Sequence, residues 1–408
     1  MKADPINHLP TMLTGEELIQ AMTVLPAYNA SVMNMPPAVR LIALNDLYKL
    51  YIPSAMSPEI YSKLYLALLR SLQKKGTMDA VRQKYENLKA IRQQVYTGIM
   101  GGSDSFTIIG ASGIGKSTAI SRALDLITAN GIMEQDNPYV RVIPCVVVQC
   151  PFDSSVKGLL LEILRKVDEQ LGSKYYQNAL RVRCTTDMLI GSVSQVALNH
   201  IGLLVVDEIQ NVVGSKYGKS LIGMLTQLIN NSGISICMVG TPESTAFFEQ
   251  AMQLARRSLG LQYGKLEYDG YFHDFCKTLY RYQYVGKRSA LTPAVIEWLY
   301  AHSAGVISVV VLLIHDAQEI AILDGTEELS LATLNEAYQK RLTMLHGYMQ
   351  PEEKRPAPSA KQKKQVRTKR TAGAEIIPIA ALAEKAKREQ LDIANLLKQH
   401  IQIEEVRV

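Results

Sequence analysis

Eight consecutive residues constrain what this chain can fold into more than any other part of its sequence. Residues 110–117 read Gly-Ala-Ser-Gly-Ile-Gly-Lys-Ser and fit the pattern G-x-x-x-x-G-K-[ST]. An apolar, β-branched run at residues 106–109 precedes them, and a helix-compatible stretch at residues 118–129 follows. A chance match is the alternative, but a strand, a glycine loop and a helix in this order indicate a phosphate-binding loop.

The chemistry of this loop depends on its glycines and on the Lys and Ser at its end. Glycine lets the backbone bend so that successive N–H groups point at a phosphate, and the following helix N-terminus adds partial positive charge. Lys116 is expected to reach the β and γ phosphates during catalysis, and the Ser117 hydroxyl to hold Mg²⁺. The residues predicted to bind nucleotide here are Gly110, Ser112, Gly113, Ile114, Gly115, Lys116, Ser117 and Thr118.

Short apolar runs alternate with helix-compatible stretches through the middle of the chain. The predicted strands are residues 106–109, 141–149, 203–206 and 234–239, and the predicted helices between them include 155–171, 186–197 and 219–230. This alternation predicts an α/β fold whose parallel sheet is covered on both faces. From about residue 291 the pattern predicts helices alone, at 293–302, 307–323 and 331–345, which indicates a small helical domain.

The two ends of the chain differ from this middle part. Residues 1–80 form a predicted helical lead-in, and a helix from residue 78 to about 96 runs toward the first strand. Residues 350–372 combine Pro, Lys, Gln and Ala with almost no large apolar side chain, which predicts a disordered linker. A short helix is predicted at residues 379–400.

The positive charge of the chain is concentrated in that linker. Residues 350–372 hold eight Lys or Arg and two Glu, an excess of six that equals the net charge of +6 for the whole chain. The remainder is formally neutral, so a DNA site in the folded body has to come from locally placed residues.

Cysteine usage and hydropathy indicate the compartment. The five cysteines form no C-x-x-C pair and read as buried free thiols in a reducing environment. The N-terminus lacks an apolar signal core, and the longest apolar run, residues 306–314, is too short to span a bilayer. We expect a cytoplasmic or DNA-associated protein without a membrane partner.

An acidic pair follows the third predicted strand. Four apolar residues at 203–206 lead directly into Asp207 and Glu208. At the end of a buried strand, Asp207 can complete the Mg²⁺ shell, and Glu208 can orient and deprotonate an attacking water. An acidic strand end on the surface is the alternative, but the upstream phosphate loop favours hydrolysis.

Three further residues are candidates for the reaction. Thr241 follows the fourth strand, and because parallel strand ends converge on one edge, it could contact the γ-phosphate or the water. An ordinary strand-to-turn boundary, with Pro242 ending the strand, is the alternative. Arg256 and Arg257 follow a predicted helix at 243–254. An arginine offered to a neighbour's γ-phosphate stabilises transition-state charge, although such a pair is commonly a solvated face.

Three of these stretches together resemble the AAA+ regulators of heteromeric DNA transposons, the TnsC/TniB family, relatives of the phage Mu B protein. They are residues 110–118, the Val-Asp-Glu-Ile-Gln-Asn string at 206–211 and the Gly-Thr-Pro-Glu string at 240–243. Similarity to that family extends to residues 148–151 with 157–160 and to residues 304–307 with 316–322. The phosphate loop and the acid pair occur in AAA+ proteins at large, whereas the string at 207–211 and the pattern at 304–322 are more specific to this family.

The resemblance implies a specific activity. ATP would drive assembly into rings or helical filaments around duplex DNA, independent of sequence, at a place set by a TniQ/TnsD-like or CRISPR-linked target selector. The assembly would recruit transposase in the bacterial cytoplasm, and hydrolysis would dissolve it. Arg256 or Arg257 becomes the finger that acts on a neighbouring subunit. Many AAA+ lids carry an arginine near Ser308, so this site is expected to depend more on its neighbour.

The residue patterns predict a domain plan, and the resemblance implies a DNA-facing surface. The plan is a helical extension at 1–80, assigned to a partner by elimination only, an AAA+ core at 81–288, a helical lid at 289–346, a basic disordered linker at 347–374 and a docking helix at 375–408. The candidate DNA contacts are Lys157, Arg181, Arg183, Thr185 and Thr186. Such residues would track phosphates without reading bases, although solvation of helix ends is the ordinary alternative.

Other functions remain open at this point. An AAA+ replication initiator or helicase loader shares the core motifs, but an initiator usually carries a compact DNA-reading domain. The lysine-rich linker and one short helix leave no room for such a domain. A protein-remodelling chaperone would not need DNA. The linker and last helix could deliver a docking peptide to the transposase, or form a tail without a dedicated role.

Overall fold

The computed structural model describes residues 8–93, 105–134, 141–153, 155–182, 184–212, 218–245 and 260–342. The chain divides into two compact units, Met1–Pro351 and Glu352–Val408, and the second lies outside the described residues. Arg183, Arg256 and Arg257 also lie outside them, as do the predicted linker and C-terminal helix.

The described part contains a six-stranded sheet in the order β2-β3-β4-β5-β1-β6. Its strands are β1 Phe106–Gly110, β2 Met133–Glu134, β3 Arg141–Gln149, β4 Ile201–Asp207, β5 Ser235–Gly240 and β6 Leu261–Tyr263. Within this order, β3, β4, β5, β1 and β6 pair in parallel, and β2 is antiparallel to β3. This sheet confirms the predicted parallel α/β fold and adds two short strands, β2 and β6, that the sequence did not reveal.

Thirteen α-helices occur in the described residues. They are α1 Gly15–Met22, α2 Pro37–Ala43, α3 Met56–Lys75, α4 Met78–Gln93, α5 Lys116–Ile127, α6 Val156–Leu171, α7 Tyr175–Arg181, α8 Thr186–His200, α9 Gly218–Ser232, α10 Gly270–Leu279, α11 Pro293–Ser303, α12 Ile307–Asp324 and α13 Leu331–Arg341. Short 3₁₀ helices lie at Ala30–Asn34, Leu44–Lys49, Ile209–Val212 and Pro242–Ser244.

Helices cover both faces of the sheet. Leu204 and Val206 of β4 belong to the core shared with α6, α8 and α9. Leu203 and Val205 belong to the opposite core, shared with α3 and α5. Successive residues of a strand point to opposite faces, so a strand buried on both sides reads as a continuous apolar run. That is why β1, β4 and β5 were visible in the sequence, whereas β3, which exposes Val147 and Gln149, was visible because most of its residues are apolar.

A separate hydrophobic core holds the lid helices α11–α13. Phe272 and Phe275 of α10 lie in it, together with Leu44 and Leu47 from the N-terminal extension. The packing therefore joins the lid to segments that the sequence assigned to the ATPase core and to the extension. Their large apolar side chains need a partner surface, and α12 supplies it.

An ion pair between Arg40 and Glu327 links the N-terminal extension to this lid. Arg40 is 5% exposed and donates from Nη2 to Glu327 Oε1 over 2.6 Å, and its Nη1 also contacts the same carboxylate. Arg40 Nη1 reaches the Tyr284 carbonyl at 3.3 Å, and the Gly286 N–H donates to Glu327 at 2.8 Å. Hydrogen bonding from Arg40 lowers the pKa of Glu327 from its ordinary value.

Breaking this pair is expected to destabilise the fold. Glu327→Ala leaves the buried guanidinium of Arg40 without its anion, which should cost about 3 kcal/mol in the free energy of unfolding. The matched control is Glu336→Ala, which removes the exposed pair with Lys340 and should cost under about 1 kcal/mol. Urea unfolding of both variants measures the difference. Equal urea midpoints for the two variants would show that the Arg40–Glu327 pair stabilises the fold no more than the exposed Lys340–Glu336 pair does.

The lowered pKa of Glu327 gives this contribution a pH dependence. A carboxylate whose folded pKa is depressed stabilises the fold above its unfolded pKa and loses that contribution as pH falls through its folded pKa. The difference in the free energy of unfolding between the parental protein and Glu327→Ala should therefore become smaller at acidic pH.

Two other sequence expectations concern thiols and membranes. The cysteines are all free, four of them buried and Cys145 half-buried. Among the described residues, no single helix is long and apolar enough to cross a membrane, although α11 and α12 pass the same test as a pair bent by 120°.

Candidate active site

The phosphate loop connects β1 to α5 at the carboxyl edge of the sheet. Gly113 and Gly115 have φ angles of +79° and +95°, a region that side chains with a Cβ rarely adopt. A Cβ on Gly110 would lie 2.8 Å from Ile114 Cδ1 and 2.9 Å from the Tyr263 carbonyl oxygen. These glycines therefore permit both the turn and the close approach of β6.

Lys116 begins α5 and is 8% exposed. Its Nζ donates to the carbonyls of Gly110 at 2.7 Å and Ala111 at 2.8 Å. The backbone of the phosphate loop therefore binds the ammonium group of Lys116. Burial lowers the pKa of Lys116, while Asp207 and Glu208 raise it. The cation is thus placed where phosphate oxygens could replace the two carbonyls as partners.

The structure brings Ser117 and Asp207 together across the first turn of α5. Ser117 Oγ donates to Asp207 Oδ2 over 3.2 Å, and the Glu208 N–H donates to Asp207 Oδ1 over 2.8 Å. A hydroxyl and a carboxylate oxygen are hard ligands of the kind Mg²⁺ prefers. Their proximity fits a metal held beside the terminal phosphates.

Glu208 has an unusual backbone. Its φ is +57°, in the left-handed region that few residues other than glycine occupy. The residue follows directly after β4 and its side chain is exposed. Gln210 Nε2 donates to Glu208 Oε2, which directs the carboxylate toward the cavity that both residues line. Strained backbone at such a site is typical of a functional position.

Thr241 is half-buried at the end of β5. Its N–H donates to Gln210 Oε1 over 3.3 Å, and its carbonyl accepts from Ser244 Oγ at 2.6 Å. A hydrogen bond from the Thr241 side chain is the main cause of the lowered pKa of Glu243. Thr241 and Glu208 line one cavity of about 240 Å³ together with Lys116.

Gln210 is the site residue to which the sequence assigned no role. It bridges the acid after β4 and the threonine after β5, because its amide can donate to one and accept from the other. In the sequence, the one indication of a role for Gln210 was its position two residues after Glu208. The hydrogen bonds to Glu208 and Thr241 are visible only in the structure. Gln210 is therefore a positioning residue for Glu208 and Thr241.

Removing this bridge should slow turnover and spare binding. We expect Gln210→Ala to lower the kcat for ATP by about 10-fold because Glu208 loses its orientation, with little change in KM. Gln210→Glu, which keeps the size but loses the donor, should be impaired, whereas Gln210→Asn should retain part of the activity. Steady-state ATPase assays separate the two constants. A change confined to KM would refute the positioning role.

The lid reaches the phosphate loop directly. The Ser308 N–H, in the first turn of α12, donates to the Gly113 carbonyl over 3.1 Å, and a Cβ on Gly113 would collide with Ser308 Oγ. Ser308 also lines the polar cavity. The sequence placed Ser308 near the point where many AAA+ lids carry an arginine, and its contact with Gly113 fixes the position of the lid over the loop.

A second, apolar cavity of about 390 Å³ adjoins the first, and both are lined by Gly113, Gly115, Thr118 and Ser308. The other walls come from the N-terminal extension, α10 and α12, and include Leu50, Ile52, Tyr271, Phe275, Ile307 and Leu312. A polar cavity continuous with an apolar one suits the phosphates and the base of a nucleotide. The sequence missed these walls, since they come from distant segments joined by packing.

The candidate DNA contacts lie at helix ends. Lys157 is exposed in the first turn of α6, Arg181 is exposed at the end of α7, and Thr185 and Thr186 are exposed at the start of α8. Thr185 also has a structural role, because its side chain accepts from the Met188 N–H. Since α6 follows β3 and α8 precedes β4, both helix starts face the carboxyl edge of the sheet.

Among the described residues, one group of possible metal ligands lies on α12, and none of its members lines the polar cavity. His315, Asp316 and Glu319 of α12 place their ligand atoms within 4.8 Å of one another. His315 Nδ1 and Asp316 Oδ1 are 2.9 Å apart, and Arg341 pairs with Glu319 at 3.4 Å. These side chains therefore satisfy each other without a metal.

Comparison with known proteins bears on the fold. Residues 99–248 match the family model of an AAA domain. A search of curated proteins found no match. The AAA domain and the five-stranded parallel sheet give this chain an AAA+ α/β fold, and an AAA domain implies ATPase activity and nucleotide binding.

Similar solved structures include three chains. The Aeropyrum pernix ORC1 protein in complex with DNA is 17% identical, with 64% of each chain covered and a TM-score of 0.43. Drosophila ORC bound to DNA is 10% identical over 97% of this chain and 85% of that one, with a TM-score of 0.45. Domain III of the Thermotoga maritima replication initiation protein DnaA is 16% identical over 67% of this chain and 94% of that one, with a TM-score of 0.34. The protein described here thus spans less than two thirds of the Aeropyrum chain.

Proposed function

We propose that this ATPase regulates DNA transposition by assembling on target duplex DNA in its ATP-bound state. In this account it links a target selector to the transposase, and hydrolysis disassembles it. The sequence motifs at 110–118, 206–211 and 240–243 support the family assignment. The observation that supports assembly into oligomers is the charge of the polar cavity.

Among the described residues that line that cavity, Lys116 is the single cation. Phosphoryl transfer develops charge that AAA+ and related enzymes commonly stabilise with an arginine as well as a lysine. Ser308 stands where a lid arginine would act in cis. The missing positive charge is therefore expected from a neighbouring subunit, through Arg256 or Arg257. Assembly and hydrolysis are coupled by that requirement.

The proposed reaction follows from the remaining residues. Ser117 and Asp207 would hold Mg²⁺, which would neutralise phosphate charge. Glu208 accepts a proton from the attacking water, and Gln210 and Thr241 fix the orientation of Glu208 and of the water. Lys116 transfers its hydrogen bonds from the loop carbonyls to the phosphates.

The proposed DNA surface combines Lys157, Arg181, Thr185 and Thr186 at the exposed helix ends. These side chains offer cations and hydroxyls to phosphate oxygens, which predicts binding without sequence preference and with strong salt dependence. Lys157→Glu should weaken binding to random duplex DNA by about 10-fold in ATP analogue at moderate salt. Lys277→Glu, at an exposed lysine of α10, is the matched control.

Fluorescence anisotropy on duplexes of several sequences tests this surface. Equal loss for both variants would contradict a specific role for Lys157. Binding to one sequence far above the others would favour a replication initiator instead. ATP turnover stimulated by an unfolded protein and indifferent to DNA would favour a remodelling chaperone.

A further inference from the structure

The helix α4 carries its apolar stripe on the side that faces solvent. Met78, Val81, Tyr85 and Leu88 are exposed by 70, 57, 69 and 54% of their surfaces. They follow one another at spacings of three, four and three residues, so they lie along one line of the helix. Such a line is normally the buried side of a surface helix.

The opposite side of α4 is buried, and two of the side chains there are polar. Gln83 and Asn87 are fully or almost fully buried, and Gln83 Nε2 donates to Asn87 Oδ1 over 2.9 Å. Asn87 Nδ2 then donates to the Asn231 carbonyl of α9 at 2.9 Å. Specific hydrogen bonds thus fix the orientation of the helix. The outward apolar stripe is therefore a built feature and does not come from loose packing.

The stripe has the spacing of a coiled-coil seam. With Met78 at position a of a heptad, Val81 is d, Tyr85 is a and Leu88 is d. The buried Gln83 and Asn87 then fall at positions f and c, on the far side of the helix. A second helix laid along this seam would insert its own apolar side chains between these four.

Charges beside the seam indicate what kind of helix fits. The charged residues at positions e and g are Arg82, Lys84 and Lys89, all of them cationic. Arg82 and Lys89 are exposed, and Lys84 is half-buried. Residues at e and g set partner choice in paired helices, and like charges across the seam are unfavourable. A second copy of α4 would bring these cations against one another.

We propose that the stripe Met78-Val81-Tyr85-Leu88 is a docking site for an amphipathic helix of another protein, one with acidic residues flanking its apolar seam. The site lies on a helix that precedes the matched AAA domain and contributes no residue to either nucleotide cavity. It therefore adds a partner surface that is separate from the ATPase site and from the proposed DNA contacts. Its test does not depend on the proposed function.

The test uses the full chain and two designed peptides. Both peptides have about four heptads with Leu at a and d; one carries Glu at e and g and the other carries Lys. By fluorescence anisotropy, the Glu peptide should bind at least about tenfold more tightly than the Lys peptide. The double variant Val81→Ser and Leu88→Ser should lose this binding. Leu323→Ser, which changes a residue of α12 that is 62% exposed, should keep it.

A charge exchange makes the test sharper. The double variant Arg82→Glu and Lys89→Glu should reverse the preference and favour the Lys peptide. ATPase activity should be unchanged in all these variants, which shows that they fold. Equal binding of the two peptides, or no binding of the Glu peptide, would overturn the proposal.

Two other occupants have their own readouts. Sedimentation velocity would show self-association that the Val81 and Leu88 changes remove, if a second copy covered the stripe. Flotation with vesicles of anionic phospholipid would show binding that the same changes remove, if the stripe entered a membrane surface. Either result without selective binding of the Glu peptide would also overturn the proposal.

Discussion

Lys116→Ala is expected to abolish ATP-dependent assembly on DNA. The ammonium of Lys116 is buried at the head of α5, and its two carbonyl partners belong to the loop that would surround the phosphates. A charge-assisted contact to phosphate of this kind contributes up to about 3 kcal/mol. Its loss should weaken nucleotide binding by roughly 100-fold.

Two measurements on the same preparation check this. Nucleotide affinity comes from titration with a fluorescent ATP analogue, and DNA loading comes from sedimentation with random duplex DNA. Lys277→Ala, which removes an exposed lysine on α10, should behave like the parental protein. Unchanged loading by Lys116→Ala would remove the phosphate loop from the mechanism.

Glu208→Gln is expected to separate binding from hydrolysis. The substitution keeps the size of the side chain and removes the carboxylate that would accept a proton from water. Loss of a general base typically lowers kcat by about 100- to 10,000-fold. The contacts of Ser117, Lys116 and Asp207 stay in place, so ATP should bind and assemblies on DNA should persist.

The rate of ATP turnover and the lifetime of DNA-bound assemblies measure the two halves of this prediction. After excess unlabelled DNA is added, parental assemblies should dissolve while ATP is consumed, and those of Glu208→Gln should remain. ATP turnover at the parental rate would show that Glu208 is not the base. Slow turnover with rapid disassembly would contradict the coupling between hydrolysis and release.

Local patterns were enough to predict the core of the fold. The strands β1, β4 and β5 are buried on both faces, so each is a run of apolar residues that ends in a glycine or an acid. The strand β3 exposes Val147 and Gln149 on one face, but most of its residues are still apolar. The two strands that were missed have two and three residues, which is too short for a periodic signal. The phosphate loop was recognisable because its backbone geometry demands glycine at fixed spacings.

The remainder of the candidate site depends on contacts between distant segments. The bridge of Gln210 between Glu208 and Thr241 follows from side-chain positions after β4 and β5. The walls of the apolar cavity come from residues about 220 positions apart, such as Ile52 and Phe275. The roles assigned to Arg256 and Arg257 stay predictions, because those residues lie outside the described part of the chain.

The helix α4 shows where periodicity misleads. Its apolar residues recur at helical spacing, and such a stripe ordinarily marks the buried side. The buried side here is held by Gln83, Asn87 and the Asn231 carbonyl. Hydrogen-bonding side chains of this kind give no periodic hydrophobic signal, so the orientation of α4 could be learned only from the structure.

We propose that ATP binding drives assembly on duplex DNA. Electron microscopy of the purified protein with random duplex DNA and a non-hydrolysable ATP analogue tests this proposal. We expect long oligomers on DNA with the analogue, and none with ADP or without DNA. Monomers under all of these conditions would contradict it.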